Sequence, residues 1–192
     1  MIRPTFAPTR AQEYRAPGGA WSGPTLDARL AAAAPMSTEV AVAGFAGALR
    51  AAGIAAGDAV SWQSPNREEV ALAYRACWRI GAIAAPMHHQ LGSSERARLL
   101  AEVAPRLVID LDTLPAGGAP VTQLWPEPES VAAVLFTSGS SGAPKGAIHT
   151  QATLATKATT MAAVHGIGQE LAQSGPAHQR EQAHLQTVKH PA

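Results

Sequence analysis

A single cysteine in the 192-residue chain leaves no intrachain disulfide framework to read. Surplus charge is also missing. Lys and Arg number 15 against 14 Asp and Glu, a formal net charge of +1, so no broad field draws in nucleic acid or an anionic membrane. No basic run interleaved with aromatics appears either, which argues against a nucleic-acid partner. No apolar run reaches the roughly 20 residues needed to span a bilayer. The opening MIRPTFAPTRAQEYR carries charge without an apolar stretch, unlike a secretory signal, and the expected compartment is the cytoplasm. Internal repeats are absent. What remains is a hydrophobic content of 46%, typical of a globular protein and sufficient for a core.

Punctuation along the chain predicts an α/β fold. Residues 1–24, broken by Pro and Gly, read as a loose amino-terminal arm, with the folded part over 25–165. A helix is expected from about Ser37 to Ala52, with Ser37 as N-cap, Glu39 in the first turn and Gly53 as the stop. A short strand follows near Ala59 to Gln63. Asn66 and Glu69 resemble a capping box for a helix ending at Gly81, and Ala82 to Ala85 read as a strand closed by Pro86. That order predicts parallel strands joined by a right-handed crossover. A further helix (Ser94 to Val103) and strand (Arg106 to Asp110) come next. A Pro/Gly-rich connection around one short extended piece then fills Asp112 to Ser130. Cys77 lies in AYRACWRIGA, an apolar helical pattern, and reads as a small buried residue rather than a nucleophile.

The richest stretch is Val131 to Thr150, VAAVLFTSGSSGAPKGAIHT. An apolar strand-like run opens into hydroxyl residues alternating with glycine, closes on Pro144, Lys145 and Gly146, and returns as a second apolar run. Gly139 and Gly142 lack a Cβ, so main-chain N–H groups there can approach phosphate oxygens. Thr137, Ser138, Ser140 and Ser141 add hydroxyl donors, and Lys145 adds a mobile positive charge. A flexible Gly/Ser linker would not be bracketed by strands or end in Pro-Lys-Gly. A Walker A loop needs G-x-x-x-x-G-K-[ST] running into a helix, whereas Lys145 is followed by Gly146 and strand-like chain.

TSGSSGAPKG resembles the signature loop of the adenylate-forming superfamily, which includes acyl-CoA synthetases, aryl-CoA ligases, luciferases and peptide-synthetase adenylation domains. The segment from Gly57 to Asp110 is similar to that family's amino-terminal region, and the likeness spans about residues 20 to 165. The resemblance implies an incomplete part of the large domain, a mixed sheet with flanking helices. It implies ATP with Mg²⁺, a carboxylic acid that attacks the α-phosphate, and CoA as acceptor. Thr137, Ser138, Gly139, Ser140, Ser141, Gly142 and Lys145 would bind the ATP phosphates, and no catalytic residue or metal ligand is assigned. The Ile148-His149-Thr150 step looks closer to fatty-acid and alicyclic-acid CoA ligases than to peptide-synthetase domains. One departure stands out: the family often has Thr-His after the loop, where this chain reads Thr150-Gln151. A Tyr-Gly-x-Thr-Glu motif, a Thr-Gly-Asp motif and the lysine of a carboxy-terminal domain, all expected of the family, are not found. The chain is therefore expected to be truncated and inactive alone. The rival expectation is a non-catalytic phosphate-binding remnant, or a split half that needs a complementing chain.

Residues 166–192 are polar and without periodicity, and are expected to be disordered. Two readings stand, a frayed natural terminus or an out-of-frame ending. His178, His184 and His190 recur every six residues, a spacing that puts no two on neighbouring helical turns and speaks against a metal site. His88 and His89, adjacent on an extended segment, are expected to point to opposite sides.

Overall fold

The computed structural model describes residues 25–125, 127–137 and 145–165. The elements in chain order are α1 (Leu26–Ala33), α2 (Met36–Ala51), β1 (Ala59–Ser64), α3 (Glu68–Arg79), β2 (Ile83–His88), α4 (Ser93–Val103), β3 (Leu107–Val108), β4 (Val131–Thr137), β5 (Lys145–Thr150) and α5 (Gln151–His165). The chain divides into two units, Met1–Ala155 and Thr156–Ala192. The first holds the sheet. In the second, the described residues 156–165 are helical, and Thr160 Oγ1 donates to Thr156 O.

The sheet order is β3-β1-β2-β4-β5. The first four strands are parallel and β5 runs antiparallel to β4. The α/β expectation and the parallel β1–α3–β2 unit are therefore present. From β2 the chain returns over β1 to reach β3, so right-handed crossovers put α3 and α4 on opposite faces. Strand alternation assigns side chains accordingly. Val60, Trp62, Ala84 and Ala133 meet Leu49 of α2 and Cys77 of α3 on one face. Ala59, Ile83, Ala85 and Val134 meet Val103 of α4 on the other. Burial at Ala73, Ala76, Cys77 and Ile80 follows helical spacing, and three of these are small enough to bring α3 close to the sheet. Cys77 is fully buried, and burial pushes its thiol up to about 12.

Several local expectations are corrected. The helix expected from Ser37 begins at Met36 after Pro35, and no side chain caps it; Ser37 lies inside it. The Asn66–Glu69 capping box does not form. Arg67 is the N-cap of α3, and its guanidinium reaches Asp112 at 2.6 Å and Glu69 at 3.1 Å. A helix over Leu26–Ala33, capped by Thr25 Oγ1 accepting from Ala28 N at 3.2 Å, was not expected from the sequence. The strand expected over Arg106 to Asp110 shortens to two residues.

Pro86 does not close β2 but lies within it. Ile83 N donates to Asp58 O on the β1 side at 2.8 Å, so by alternation the N–H groups at 84 and 86 face β4. Pro86 has none to offer. Pairing of β2 with β4 is accordingly confined to Ala84↔Ala133, while β1 and β2 stay in register through Ser64↔His88. β4 gains a separate anchor from Trp78, whose Nε1 donates to Ala132 O at 2.9 Å.

Candidate functional site

The four parallel strands point one way, so the carboxyl ends of β1, β2 and β4 lie along one edge of the sheet. In open α/β sheets that edge is where ligands bind. From it β4 hands over to residues 138–144, and β5 brings the chain back. Thr137 pairs with Lys145, Phe136 with Gly146, Leu135 with Ala147 and Val134 with Ile148. Main-chain pairing thus brings the two flanking candidates, Thr137 and Lys145, opposite each other. Ser138, Gly139, Ser140, Ser141 and Gly142 lie outside the described residues, as do the side chains of Thr137 and Lys145. Gly146 sits where side chains of β4 cross the hairpin: a Cβ there would stand 3.0 Å from Val134 Cγ1.

Beyond the hairpin, α5 is braced rather than open at its amino end. Thr150 and Thr153 bond reciprocally, Thr150 N to Thr153 Oγ1 at 2.8 Å and Thr153 N to Thr150 Oγ1 at 3.2 Å. Gln151 N donates to Ser130 O at 3.2 Å, and Ala152 N donates to Pro128 O at 2.8 Å. The first N–H groups of the helix, which commonly receive an anion, are therefore already engaged. Gln151 is 2% exposed, and its Oε1 has no hydrogen-bond partner among the described residues.

The neighbouring strand ends form a fixed rim. Gln63 Nε2 donates to the carbonyls of His88 (3.1 Å), His89 (3.2 Å) and Leu91 (3.1 Å). Two N–H groups serve three acceptors, so at least one is shared. The expectation that His88 and His89 point to opposite sides is corrected. The turn begins at His89, and the two rings stack with centroids 4.5 Å apart, tilted by 37°. His88 Nδ1 accepts from Gln90 N at 3.2 Å and so is already engaged. Among the described residues no group of three His, Cys, Asp or Glu side chains gathers to hold a metal ion, and no helix is long and apolar enough to cross a membrane. A recess bordered by Gly57, Gly81, Trp125 and Val131 lies at the amino ends of the strands, the opposite edge from the hairpin's open end.

A family model described as AMP-binding enzyme matches residues 38–124 and 111–180. The chain belongs to the AMP-binding enzyme family. It is 31% identical over 133 residues to a feruloyl-CoA synthase of Amycolatopsis sp, covering 59% of this chain and 27% of that one. It is 29% identical over 155 residues to an indoleacetate–CoA ligase of Aromatoleum aromaticum, covering 63% of this chain and 30% of that one. Among solved structures, the o-succinylbenzoate CoA synthetase of Bacillus subtilis in complex with ATP and magnesium superposes with a TM-score of 0.59. That match has 24% identity and covers 68% of this chain and 40% of the other. The chain thus spans less than a third of the length of these two curated relatives. The sheet and helices of the first unit carry the fold of adenylate-forming enzymes of the acyl-CoA synthetase kind.

What sequence reasoning missed is a buried charge cluster. Arg75 Nε and Arg79 Nε donate to Asp27 Oδ1 and Oδ2, each at 2.8 Å. Arg79 Nη2 donates to Glu39 Oε2 at 2.9 Å. Arg75 Nη2 stands 2.6 Å from Glu39 Oε1, close as an ion pair but not aligned as a hydrogen bond. The available signal was the i, i+4 spacing of two arginines on an otherwise apolar helix face.

Proposed function

We propose that residues 137–145 hold the phosphates of ATP while a carboxylic acid is activated as its adenylate and then passed to the thiol of CoA. The observation that carries this reading is the β4–β5 hairpin. It grows from the carboxyl end of a parallel strand, with Thr137 paired to Lys145 at its mouth. The donor set suits a triphosphate: main-chain N–H groups at Gly139 and Gly142, the hydroxyls of Thr137, Ser138, Ser140 and Ser141, and one ammonium. A carboxylate oxygen of the acid attacks the α-phosphorus, the bond to the bridging oxygen breaks, and pyrophosphate departs. Lys145 offsets the charge that builds on the leaving group. The CoA thiolate then attacks the acyl carbonyl and releases AMP. Magnesium, carried on the nucleotide's phosphates, would neutralise charge there.

Family membership and the names of the two ligases support acid–CoA ligation, and the aromatic acids in those names are the first substrates to try. A second reading rests on the share of the relatives that this chain spans. By it, these residues contribute phosphate binding, while ribose, acyl and CoA recognition come from residues outside the sequence, including those of a complementing chain. The test is Mg·ATP binding to this chain by calorimetry, with Lys145→Ala beside it, followed by pyrophosphate exchange with ferulate or indoleacetate. Saturable binding weakened about tenfold or more by the substitution supports the reading, since one charge-assisted phosphate contact is worth about 1.5–3 kcal/mol. Equal binding by both proteins overturns the role of Lys145. Exchange by this chain alone favours the full ligase, and binding without exchange favours the second reading.

A further inference from the structure

α1 docks in an unusual manner: its only buried side chain is Asp27, at 2% exposure, while Leu30 is 40% exposed. A further side-chain tie to the body is Arg29 Nη1, which donates to Ala155 O at 3.1 Å. A helix of this length does not persist by its own hydrogen bonds. Its closure therefore depends on what holds it down, and its one buried side chain is held by charge. Arg75 and Arg79 are 5% and 2% exposed and stand one helical turn apart on α3. Each guanidinium touches both Asp27 and Glu39, giving two cations and two anions in alternation.

The arginine pair is fixed independently of α1. Ala73, Ala76 and Cys77 seat α3 at 0% exposure, and Glu39 of α2 bridges the far nitrogens of both guanidiniums. Withdrawing α1 would leave two guanidiniums facing one carboxylate, and an uncompensated buried charge is strongly unfavourable. We propose that α1 is a releasable strap latched by charge. The Asp27 carboxylate fills a preformed two-arginine cradle, and this cradle accepts a free small carboxylate when Asp27 is withdrawn. The proposal is independent of the nucleotide reading.

The test is hydrogen exchange on the full chain, read at the amides of Ala28, Arg29 and Ala34, which bond to Thr25 Oγ1, Thr25 O and Leu30 O. In the wild-type protein these amides should exchange at least about tenfold faster than those of α3, through an opening that leaves the sheet intact. Asp27→Ala should speed them by about a further tenfold with α3 still protected. Formate at tens of millimolar should then restore protection, where chloride at equal ionic strength does not. Leu30→Ala should change α1 exchange by less than about twofold, as expected of a half-exposed side chain. Exchange of α1 in step with α3 in the wild type overturns the strap, even if Asp27→Ala does not fold. Failure of formate to rescue a folded Asp27→Ala protein overturns the cradle, and a Leu30→Ala effect as large as that of Asp27→Ala overturns the charge latch.

Discussion

The indole of Trp125 lies so close over Gly81 that a Cβ on Gly81 would stand 2.7 Å from Trp125 Cε2. Gly81 also has φ +73°, a conformation that side chains rarely adopt. Steric conflict and backbone strain therefore fall on one residue, at the turn that feeds β2. Gly81→Ala should lose about 2–4 kcal/mol in urea denaturation, combining left-handed strain with displacement of the ring. Gly57→Ala is the control, since φ there is +81° but nothing lies within 4 Å of the added carbon. It should lose only about 1–2 kcal/mol. Equal losses would show that Trp125 gives way freely.

The opposite change is expected at the end of α4. Ala104 caps that helix in the left-handed region at φ +46°, is exposed, and donates its N–H to Leu100 O. Glycine takes that position in most helices that end this way. Ala104→Gly should stabilise the protein by about 0.5–1 kcal/mol, visible as a higher urea midpoint with an unchanged slope. A lower midpoint would mean that the helix end is held by something other than this cap.

Alkali should weaken the fold through Cys77 and its neighbour Tyr74. Burial raises both, Cys77 from 9.0 to about 12 and Tyr74 from 10.0 to about 12, with the charge of Cys77 a further cause for Tyr74. A group raised in the folded state contributes stability that is complete below its unfolded value and is lost as pH climbs towards the folded one. Melting temperature should therefore fall between about pH 9 and 12, and Cys77→Ala should make that decline shallower. An identical decline in the variant would remove Cys77 from the account.

The sequence made the parallel β1–α3–β2 unit and the β4–β5 return readable because apolar periodicity reports burial directly. Ala73, Ala76, Cys77 and Ile80 mark one helical face, and Val131 to Phe136 mark a covered strand. Pro86 misled, because a proline inside a strand is tolerated when only one neighbour loses its hydrogen bond, and that depends on partners the local sequence does not reveal. The caps at Ser37 and Asn66 misled for a related reason. At Ser37 the helix starts one residue earlier, after Pro35, and at Asn66 the tie of Arg67 to Asp112 outweighs the local preference. The hairpin end of the site was legible from residue types at fixed spacing. The engaged amino end of α5 was not, since its acceptors at Pro128 and Ser130 come from a stretch without periodicity.

The missing N–H of Pro86 has a mechanical consequence. With one registered rung at Ala84 and Ala133, the sheet is a pair of leaves, β3-β1-β2 and β4-β5, joined by a seam that is unzipped towards its carboxyl edge. The Trp78 indole, held by α3 and bonded to Ala132 O, acts as the pin of that seam. The fold thus leaves its sparsest backbone pairing beside the strand ends from which the loop departs.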